Sequence, residues 1–217
     1  MKQFAIIGLG NFGATVAKEL TRLKCKVTAI DTDKTRVQSL QDYSQIVAIL
    51  ADATDRKFLE NLNPGQFDCV IISTGEDTNA AILITLYANE LGARRIIVKA
   101  KSDDHARILS RVGATETVIP EEQMATKLSR SLAQPNLIDF LPLANQYVVA
   151  EIEPPAHFIG KTLQELRLRS EYHVQVIAVR KRPTEEFIFV LSGEYTIEDV
   201  DVLVLVGKEE HVRALRA

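Results

Sequence analysis

The chain has 217 residues, a formal net charge of −3 and a hydrophobic fraction of 46%. This length favours two modest domains, and the apolar fraction excludes an intrinsically disordered chain. The balance of 26 basic and 29 acidic residues gives no support for nucleic acid or anionic lipid as the main partner. The N-terminal residues lack the pattern of a signal peptide, and no apolar run approaches the roughly 20 residues that cross a bilayer. We therefore expect a cytoplasmic protein that is not inserted in a membrane and reaches one only through a partner.

Short apolar runs alternate with helical patterns over the first part of the chain. The runs are rich in Ile and Val and predict strands at 4–8, 26–31, 45–50, 69–74, 95–100 and 116–120. The helical patterns between and after them lie at 11–23, 77–92, 103–113 and 121–133. Strands that are apolar on both faces are typical of a parallel sheet covered by helices. The predicted fold class is therefore α/β, with a doubly wound parallel sheet.

The alternation breaks beyond the last of these helices. The segment 135–145 carries Pro135 and Pro142 and is interpreted as a linker. The remaining pattern predicts strands at 146–154, 174–181, 186–191 and 201–207, with helices at 160–172 and 208–217. The sequence thus predicts a first domain at 1–134, a linker at 135–145 and a smaller α+β domain at 146–217.

A glycine-rich loop follows the first predicted strand in the stretch "AIIGLGNFGATVAKEL". Gly8, Gly10 and Gly13 have the spacing G-x-G-x-x-G, with Asn11 and Phe12 inside the motif. Between a strand and an amphipathic helix, such glycines allow a tight turn, close approach of the backbone to phosphate and close packing of helix on strand. The helix N-terminus presents free N–H groups and a partial positive charge to the same phosphate. The loop predicts a nucleotide site.

An acid stands where a ribose would lie. Asp31 ends the second predicted strand, about 20 residues beyond the loop, where a carboxylate accepts hydrogen bonds from ribose hydroxyls. It would repel a 2′-phosphate, and Thr32 rather than an arginine follows it, so NADP is disfavoured. The alternative is that Asp31 is a plain turn or helix-capping acid.

Two further loops follow strands at the same predicted edge. In "LADATD", Asp52, followed by Ala53, either bonds an adenine edge or caps the helix that starts near Asp55. In "STGED", Thr74 and Gly75 either pass beneath the nucleotide or form only a turn. These alternatives stay open from the residues alone.

The sequence favours a binding protein over an enzyme. None of the four histidines has a recognisable catalytic setting, and the polar positions of the second domain are typical of solvated faces. Lys99 ends the fifth predicted strand at the ligand edge, where a lysine serves as a base, contacts phosphate or forms an interdomain salt bridge. The rival functions are an NAD-dependent oxidoreductase and a soluble NAD(H) redox sensor.

Several stretches together resemble one family. They are "KQFAIIGLGNFG", "VTAIDTDKTRVQ", "LADATD", "VKAKSDDHARILSRVGA", "VIPEEQMATKLSRSL" and "IGKTLQELRLRSEYHVQVIAVRK". They resemble the RCK or KTN regulatory subunits of Ktr/Trk-type potassium uptake systems. The resemblance implies a Rossmann-like RCK N-terminal domain, which includes a dimerisation helix, and a C-terminal RCK domain. It also implies homodimers in an octameric ring, docked on the cytoplasmic face of a membrane potassium-translocating subunit.

The resemblance assigns ligands as well. Relatives bind ATP, ADP or NAD(H), and some bind cyclic di-AMP between paired C-terminal domains. Its phosphate loop matches the three glycines, its ribose acid matches Asp31, its adenine acid matches Asp52, and its strand-five lysine matches Lys99. Glu121 matches a glutamate that helps to hold a cation, Mg²⁺ or Na⁺, at the terminal phosphate of ATP. The alternative for Glu121 is an acid that favours the dipole of the helix beginning at Pro120.

The chain departs from the family in its loop. ATP-sensing relatives often carry arginine where this chain has Asn11. Asparagine is shorter and neutral, so it favours discrimination of ATP from ADP less than arginine does, and NAD(H) stays open. The stretch that matches the cyclic di-AMP pocket contains Ile159, Arg169 and Val176, which are alternatively a surface arginine and two core aliphatics.

The helix at 121–133 carries an apolar stripe. Met124, Leu128 and Leu132 recur at four-residue spacing. They pack within their own domain or, as the resemblance offers, form a dimer contact.

Overall fold

The computed structural model describes residues 1–133, 137–189 and 192–215, without the side chain of Arg130. The chain divides into two compact units, Met1–Glu121 and Glu122–Ala217. Within the described residues, no helix is both long enough and apolar enough to cross a membrane.

Unit 1 alternates strand and helix along the chain. Its elements are β1 (Gln3–Ile7), α1 (Asn11–Arg22), β2 (Lys26–Asp31), α2 (Lys34–Gln38), β3 (Ile46–Leu50), α3 (Arg56–Leu62), β4 (Cys69–Ile72), α4 (Thr78–Glu90), β5 (Ile96–Lys99), α5 (Asp103–Arg111) and β6 (Glu116–Val118). The strands form one parallel sheet in the order β3-β2-β1-β4-β5-β6. The predicted fold class is confirmed. The order reverses between β1 and β4, and ligands of such sheets bind outside the carboxyl ends of the strands at that point.

The sheet is buried on both faces, which explains the continuous apolar runs. On one face, Ile7, Ile30 and Ile72 pack in a cluster beneath α3, α4 and α5. On the other face, Ile6 and Ala29 pack with the inner side of α1. A parallel sheet covered by helices on both sides needs apolar residues at consecutive strand positions.

Unit 2 is built on an antiparallel sheet. Its elements are β7 (Leu137–Pro142), β8 (Tyr147–Ile152), α7 (Leu163–Leu166), α8 (Leu168–Glu171), β9 (Val174–Lys181), β10 (Glu186–Ile188), β11 (Asp201–Lys208) and α9 (Glu209–Ala214), preceded by α6 (Pro120–Ala133), which begins in unit 1. The strand order is β10-β9-β11-β8-β7. Phe158, Leu203 and Leu205 are fully buried in its core. This is the smaller α+β domain that the sequence predicts.

The predicted linker is wrong for most of its length. Residues Leu137–Pro142 form β7, which pairs with β8. Because β7 is an edge strand, Pro142 at its end removes no hydrogen bond from a second neighbour, so a proline there does not argue against a strand. Pro135 lies outside the described residues.

Two other boundaries differ from the prediction. The helix predicted at 160–172 is two short helices, because Arg167 adopts a left-handed conformation with φ of 47° between α7 and α8. The strand predicted at 186–191 ends at Ile188 as β10, and residues 190 and 191 lie outside the described part of the chain.

A buried histidine in α5 makes the stability of unit 1 depend on pH. His105 is buried, its Nδ1 accepts a hydrogen bond from the N–H of Lys101 at 3.3 Å, and its Nε2 has no partner among the described residues. Burial lowers the pKa of His105, and the nearby Lys101 cation adds to this. The unfolded chain therefore binds a proton more readily than the folded one just below the ordinary pKa of about 6.5.

We expect the free energy of unfolding to fall as the pH drops from about 7.5 to about 5.5, because protonation of His105 favours the unfolded chain. Urea unfolding followed by circular dichroism measures this change. His105→Gln should reduce the pH dependence, whereas the matched change at the exposed His157, His157→Gln, should keep it. Equal pH dependence in the wild type and His105→Gln would contradict this assignment.

Candidate nucleotide-binding site

A cavity of about 350 Å³ opens at the carboxyl edge of the parallel sheet. It is lined by the ends of β1 and β2, by residues that follow β1, β2, β3 and β4, and by residues of α2 and α4. The lining is Ile7, Gly8, Ile30, Asp31, Thr32, Arg36, Ala51, Asp52, Ala53, Thr54, Ser73, Thr74, Asp77, Ala80 and Ile84. The structure therefore brings together six predicted site residues, from Gly8 to Thr74. It does not place Gly10, Asn11, Phe12, Gly13, Gly75, Lys99 or Glu121 in this lining.

The three loop positions are occupied by glycine for different physical reasons. Gly8 has φ of +92°, and a Cβ there would lie 2.0 Å from the carbonyl oxygen of Ser73. A Cβ on Gly13 would lie 2.0 Å from the carbonyl oxygen of Gly8. Gly10 differs, because no atom lies within 4 Å of a Cβ built on it, and its φ is −65°. The chain itself requires glycine at 8 and 13, whereas the space beside Gly10 is open for a ligand.

The first turn of α1 keeps its N–H groups available. Gly10 is the N-cap of α1 and supplies no side-chain cap. The side chain of Asn11 is exposed, whereas Phe12 is half-buried and packs against the core on the α1 face of the sheet. The uncapped N-terminus of a helix attracts an anion through its free N–H groups and its dipole.

Asp31 holds the glycine loop in place. The N–H of Leu9 donates to Asp31 Oδ2 at 2.6 Å, and the N–H of Asp33 donates to Oδ1 at 2.8 Å. Asp31 is only 7% exposed and Leu9 is 3% exposed, so this bond satisfies a buried donor. The turn-acid alternative is therefore present in the structure. It leaves acceptor capacity for a ribose hydroxyl, because each carboxylate oxygen has two lone pairs.

Arg36 lines the cavity and is absent from the sequence prediction. The carboxylate of Asp33 caps α2 by accepting from the N–H groups of Thr35 and Arg36, and these bonds lower the pKa of Asp33. The turn of α2 brings the Arg36 guanidinium back to the cavity, with Nη1 3.6 Å from Asp31 Oδ2. In the sequence, the position directly after the acid is Thr32, and Arg36 lies four residues further on. A helical turn starting at Asp33 is the signal that could have found Arg36.

The acid after β3 is not a helix cap. Asp52 Oδ1 accepts from the N–H of Thr54 at 2.9 Å and from its hydroxyl at 2.7 Å. Asp55 caps α3 instead, by accepting from the N–H of Lys57 at 2.9 Å. Asp52 is exposed and lines the cavity beside the buried Ala53, so its carboxylate stands where a ligand can reach it.

The loop after β4 forms a turn into α4. Thr74 donates its hydroxyl hydrogen to the carbonyl oxygen of Asp77 at 2.8 Å, and Asp77 caps α4 through the N–H of Ala80. Gly75 has φ of +67° and lies in open space outside the cavity lining. Thr74 reaches the cavity, whereas Gly75 is needed for the turn.

Two lysine–glutamate pairs lie at the end of β5. Lys99 Nζ is 2.5 Å from Glu121 Oε1, and Lys101 pairs with Glu76. Lys99 lowers the pKa of Glu121, and Lys101 lowers the pKa of Glu76. Among the described residues, no group of three or more His, Cys, Asp or Glu side chains could hold a metal ion. Glu121, paired with a lysine, does not by itself form a cation site.

A second cavity, of about 680 Å³, lies in unit 2. Its polar lining includes Arg167, Arg169 and Gln175, and its apolar lining includes Val176. Arg169 and Val176 therefore lie together as predicted residues, while Ile159 is exposed and is not in the lining. Arg167 was not predicted, because only the structure shows the left-handed turn that places it between α7 and α8.

The parallel sheet, the glycine loop and the acid at the end of β2 define a Rossmann-type nucleotide-binding domain joined to a small antiparallel domain. Residues 4–120 match the TrkA-N domain, and residues 147–217 match the TrkA-C domain. Ktr system potassium uptake protein C of Bacillus subtilis (strain 168) is 36% identical over 208 residues, covering 95% of this chain and 92% of that protein. The chain therefore belongs to the Ktr/Trk family of RCK-domain potassium uptake proteins, as the sequence predicts.

Solved structures share the fold. The crystal structure of the GsuK RCK domain matches with a TM-score of 0.66 at 19% identity, covering 99% of this chain and 46% of that chain. The GsuK channel bound to NAD matches with a TM-score of 0.50 at 21% identity, covering 99% of this chain and 38% of that chain. This chain thus corresponds to less than half of either GsuK chain.

Proposed function

We propose that the chain is a nucleotide-binding regulatory subunit of a potassium uptake system. The observation that carries the proposal is the open space beside Gly10, at the uncapped start of α1 and beside the loop that Asp31 holds in place. A phosphate can approach the backbone there because no side chain blocks it, and the free N–H groups of the helix start can then bind it. Asp31 and Asp52 then contact the ribose and the adenine edge, and Thr74 lies across the cavity.

ATP, ADP and NAD(H) are the proposed ligands. All three carry an adenosine joined to phosphate, which is the part that the cavity and the glycine loop can hold. The related GsuK channel has been solved with NAD. The family resemblance implies a cation, Mg²⁺ or Na⁺, at Glu121, but Glu121 offers one carboxylate, which already pairs with Lys99.

The helix α6 supplies a surface for self-association. Met124, Leu128 and Leu132 are 65%, 58% and 74% exposed, at a spacing that puts them on one face of the helix. Three large apolar side chains on one exposed face favour burial against an equivalent surface. We infer that this stripe joins two copies of the chain, and that such dimers assemble into the octameric ring expected from the family.

Regulation requires that the nucleotide binds one arrangement of the ring better than another. The pair of Lys99 and Glu121 links the ligand edge of the sheet to the first turn of α6. A phosphate that attracts Lys99 changes the partner of Glu121 at the start of the helix that bears the apolar stripe. This local route connects ligand binding to the contact between protomers.

The proposed partner is a membrane potassium-translocating subunit, contacted from the cytoplasm by a ring that is not itself inserted in the bilayer. In this role the chain binds its nucleotide without chemical turnover and is not an enzyme. The naming of its relatives for potassium uptake supports this role.

Cyclic di-AMP is the proposed ligand of the second cavity. Arg167 and Arg169 both line it, and a guanidinium binds phosphate through charge-assisted hydrogen bonds. Val176 supplies an apolar contact. Ile159 does not line the cavity and is not part of the proposed site.

Calorimetry and solution scattering on the purified full chain test the function. We expect stoichiometric binding of at least one of ATP, ADP, NAD⁺ and NADH, and different scattering curves for differently liganded assemblies at saturation, because the ligands differ in their charge at the phosphate edge. Identical curves for all bound nucleotides would contradict nucleotide regulation. Absence of binding would contradict the site, and consumption of NADH by the pure protein would contradict the non-enzymatic role.

A further inference from the structure

The ribose end of the nucleotide cavity carries the side chain of Arg36. Among the described residues that line the cavity, the acidic side chains are Asp31, Asp52 and Asp77, and the basic one is Arg36. The guanidinium lies 3.6 Å from Asp31 through Nη1 and 3.6 Å from Asp33 through Nε. Both distances exceed those of a hydrogen bond, and 53% of the side chain is exposed. The two ion pairs of Arg36 are therefore weak, and a competing anion can displace them.

The neighbouring acid is already engaged. Asp31 accepts backbone hydrogen bonds from Leu9 and Asp33, and its carboxylate has the Arg36 guanidinium on its cavity side. These donors and the adjacent positive charge offset the field that Asp31 would otherwise present to a second anion. The repulsion that the sequence predicts for a 2′-phosphate is therefore reduced in the folded protein.

Dinucleotide sites usually recognise the ribose 2′ position in one of two ways. An acid bonds the ribose 2′-hydroxyl, or a nearby arginine receives the 2′-phosphate. This cavity has both, because the turn of α2 returns Arg36 to the end of β2. A planar guanidinium with several donors suits a phosphate better than any other side chain in the lining.

We propose that Arg36 determines specificity at the ribose end and lets the site accept adenosine nucleotides that carry a 2′-phosphate, the class of NADP(H), beside those that do not. This inference rests on the proposed nucleotide site, and it replaces the expectation that Asp31 disfavours NADP. A ribose with free hydroxyls bonds Asp31. A ribose with a 2′-phosphate draws Arg36 away from the two aspartates.

Two pairs of probes that differ only by the 2′-phosphate test the proposal on the full chain. The pairs are NADH with NADPH, and 5′-AMP with adenosine 2′,5′-bisphosphate, measured by calorimetry in about 50 mM KCl, where screening is weak. In the wild type, we expect the dissociation constants within each pair to agree within about threefold, because the attraction of Arg36 and the repulsion of Asp31 nearly cancel.

Substitution of Arg36 should make the affinities of the two probes within each pair differ. Arg36→Ala should weaken the 2′-phosphorylated probes by about tenfold or more and the others by less than about twofold, and Arg36→Lys should fall between, because lysine keeps the charge without the bidentate geometry. The matched control is Arg107→Ala, which removes the same charge from an exposed arginine of unit 1 outside the cavity. It should leave all four affinities unchanged.

Three results would overturn the proposal. The first is a wild type that binds NADH or AMP but binds its 2′-phosphorylated counterpart more than about thirtyfold less tightly. The second is an Arg36→Ala variant that loses affinity equally within each pair, which would place the arginine on the shared adenosine. The third is a wild type that binds no adenosine nucleotide, ATP and ADP included. That last result refutes the proposed function itself, whereas the first two leave it standing.

Discussion

Gly13→Ala should lower the free energy of unfolding by about 3 kcal/mol, because a Cβ at this position has no room. The added carbon would lie 2.0 Å from the carbonyl oxygen of Gly8, and this neighbour is backbone rather than the end of a flexible side chain. Either α1 must move away from β1 or the loop must deform. Urea unfolding followed by circular dichroism measures the loss.

Gly10→Ala is the matched control for that substitution. Its Cβ meets no atom within 4 Å, and φ of −65° is one that alanine adopts readily. Stability should fall by no more than about 1 kcal/mol, because alanine is a poorer helix N-cap than glycine, while nucleotide affinity should fall by about tenfold or more, because the methyl group occupies the approach to the phosphate. Unchanged stability in Gly13→Ala, or unchanged affinity in Gly10→Ala, would refute the division of roles between the two glycines.

Asp31→Ala should both destabilise unit 1 and weaken nucleotide binding. The N–H of Leu9 is buried and would lose its acceptor, which costs about 2–3 kcal/mol when the acceptor is charged. The same change removes the hydrogen-bond acceptor for the ribose hydroxyls, and affinity should fall by about tenfold. The bond to Leu9 is the reason to expect a loss of stability beside the loss of binding.

Asp31→Asn and Asp52→Ala separate the two effects. The asparagine keeps one carbonyl oxygen for the N–H of Leu9, so its loss of stability should be about 1 kcal/mol. Asp52 lines the same cavity, but it is exposed and, among the described residues, accepts only from Thr54, so its removal should cost less than about 0.5 kcal/mol. Calorimetric affinities and urea unfolding on the three variants give both quantities. Equal stability of Asp31→Ala and Asp52→Ala would show that Asp31 does not support the loop.

The parallel domain could be predicted from the sequence because its local and tertiary requirements agree. The inner strands β1, β2, β4 and β5 have their largely buried residues covered by helices on both faces, so each appears as an apolar run whatever its neighbours. The edge strand β7 could not be predicted in the same way. Among the described strands it pairs only with β8, and its outer edge tolerates the proline that was interpreted as a linker signal.

Residues of the candidate site could be predicted where their spacing along the sequence is a signal by itself. They were missed where their position depends on tertiary structure. The glycines and Asp31 occur at a fixed spacing, so they could be named from the sequence. Arg36 reaches the cavity only because a turn of α2 follows Asp31. Lys99 and Glu121 are 22 positions apart, and they meet because β6 lies beside β5 in the sheet. No periodicity in the sequence encodes that neighbour relation.

The pairing of Lys99 with Glu121 also determines how easily the Lys99 side chain can exchange Glu121 for an incoming anion. Glu121 is 68% exposed, and pairs with so much solvent around them contribute only about 0–1 kcal/mol. An incoming anion that takes the lysine therefore displaces a weak bond. The carboxylate left behind is not stranded, because it stands in the first turn of a 14-residue helix whose positive pole stabilises it. The arrangements of this edge with and without the Lys99–Glu121 pair are thus close in energy.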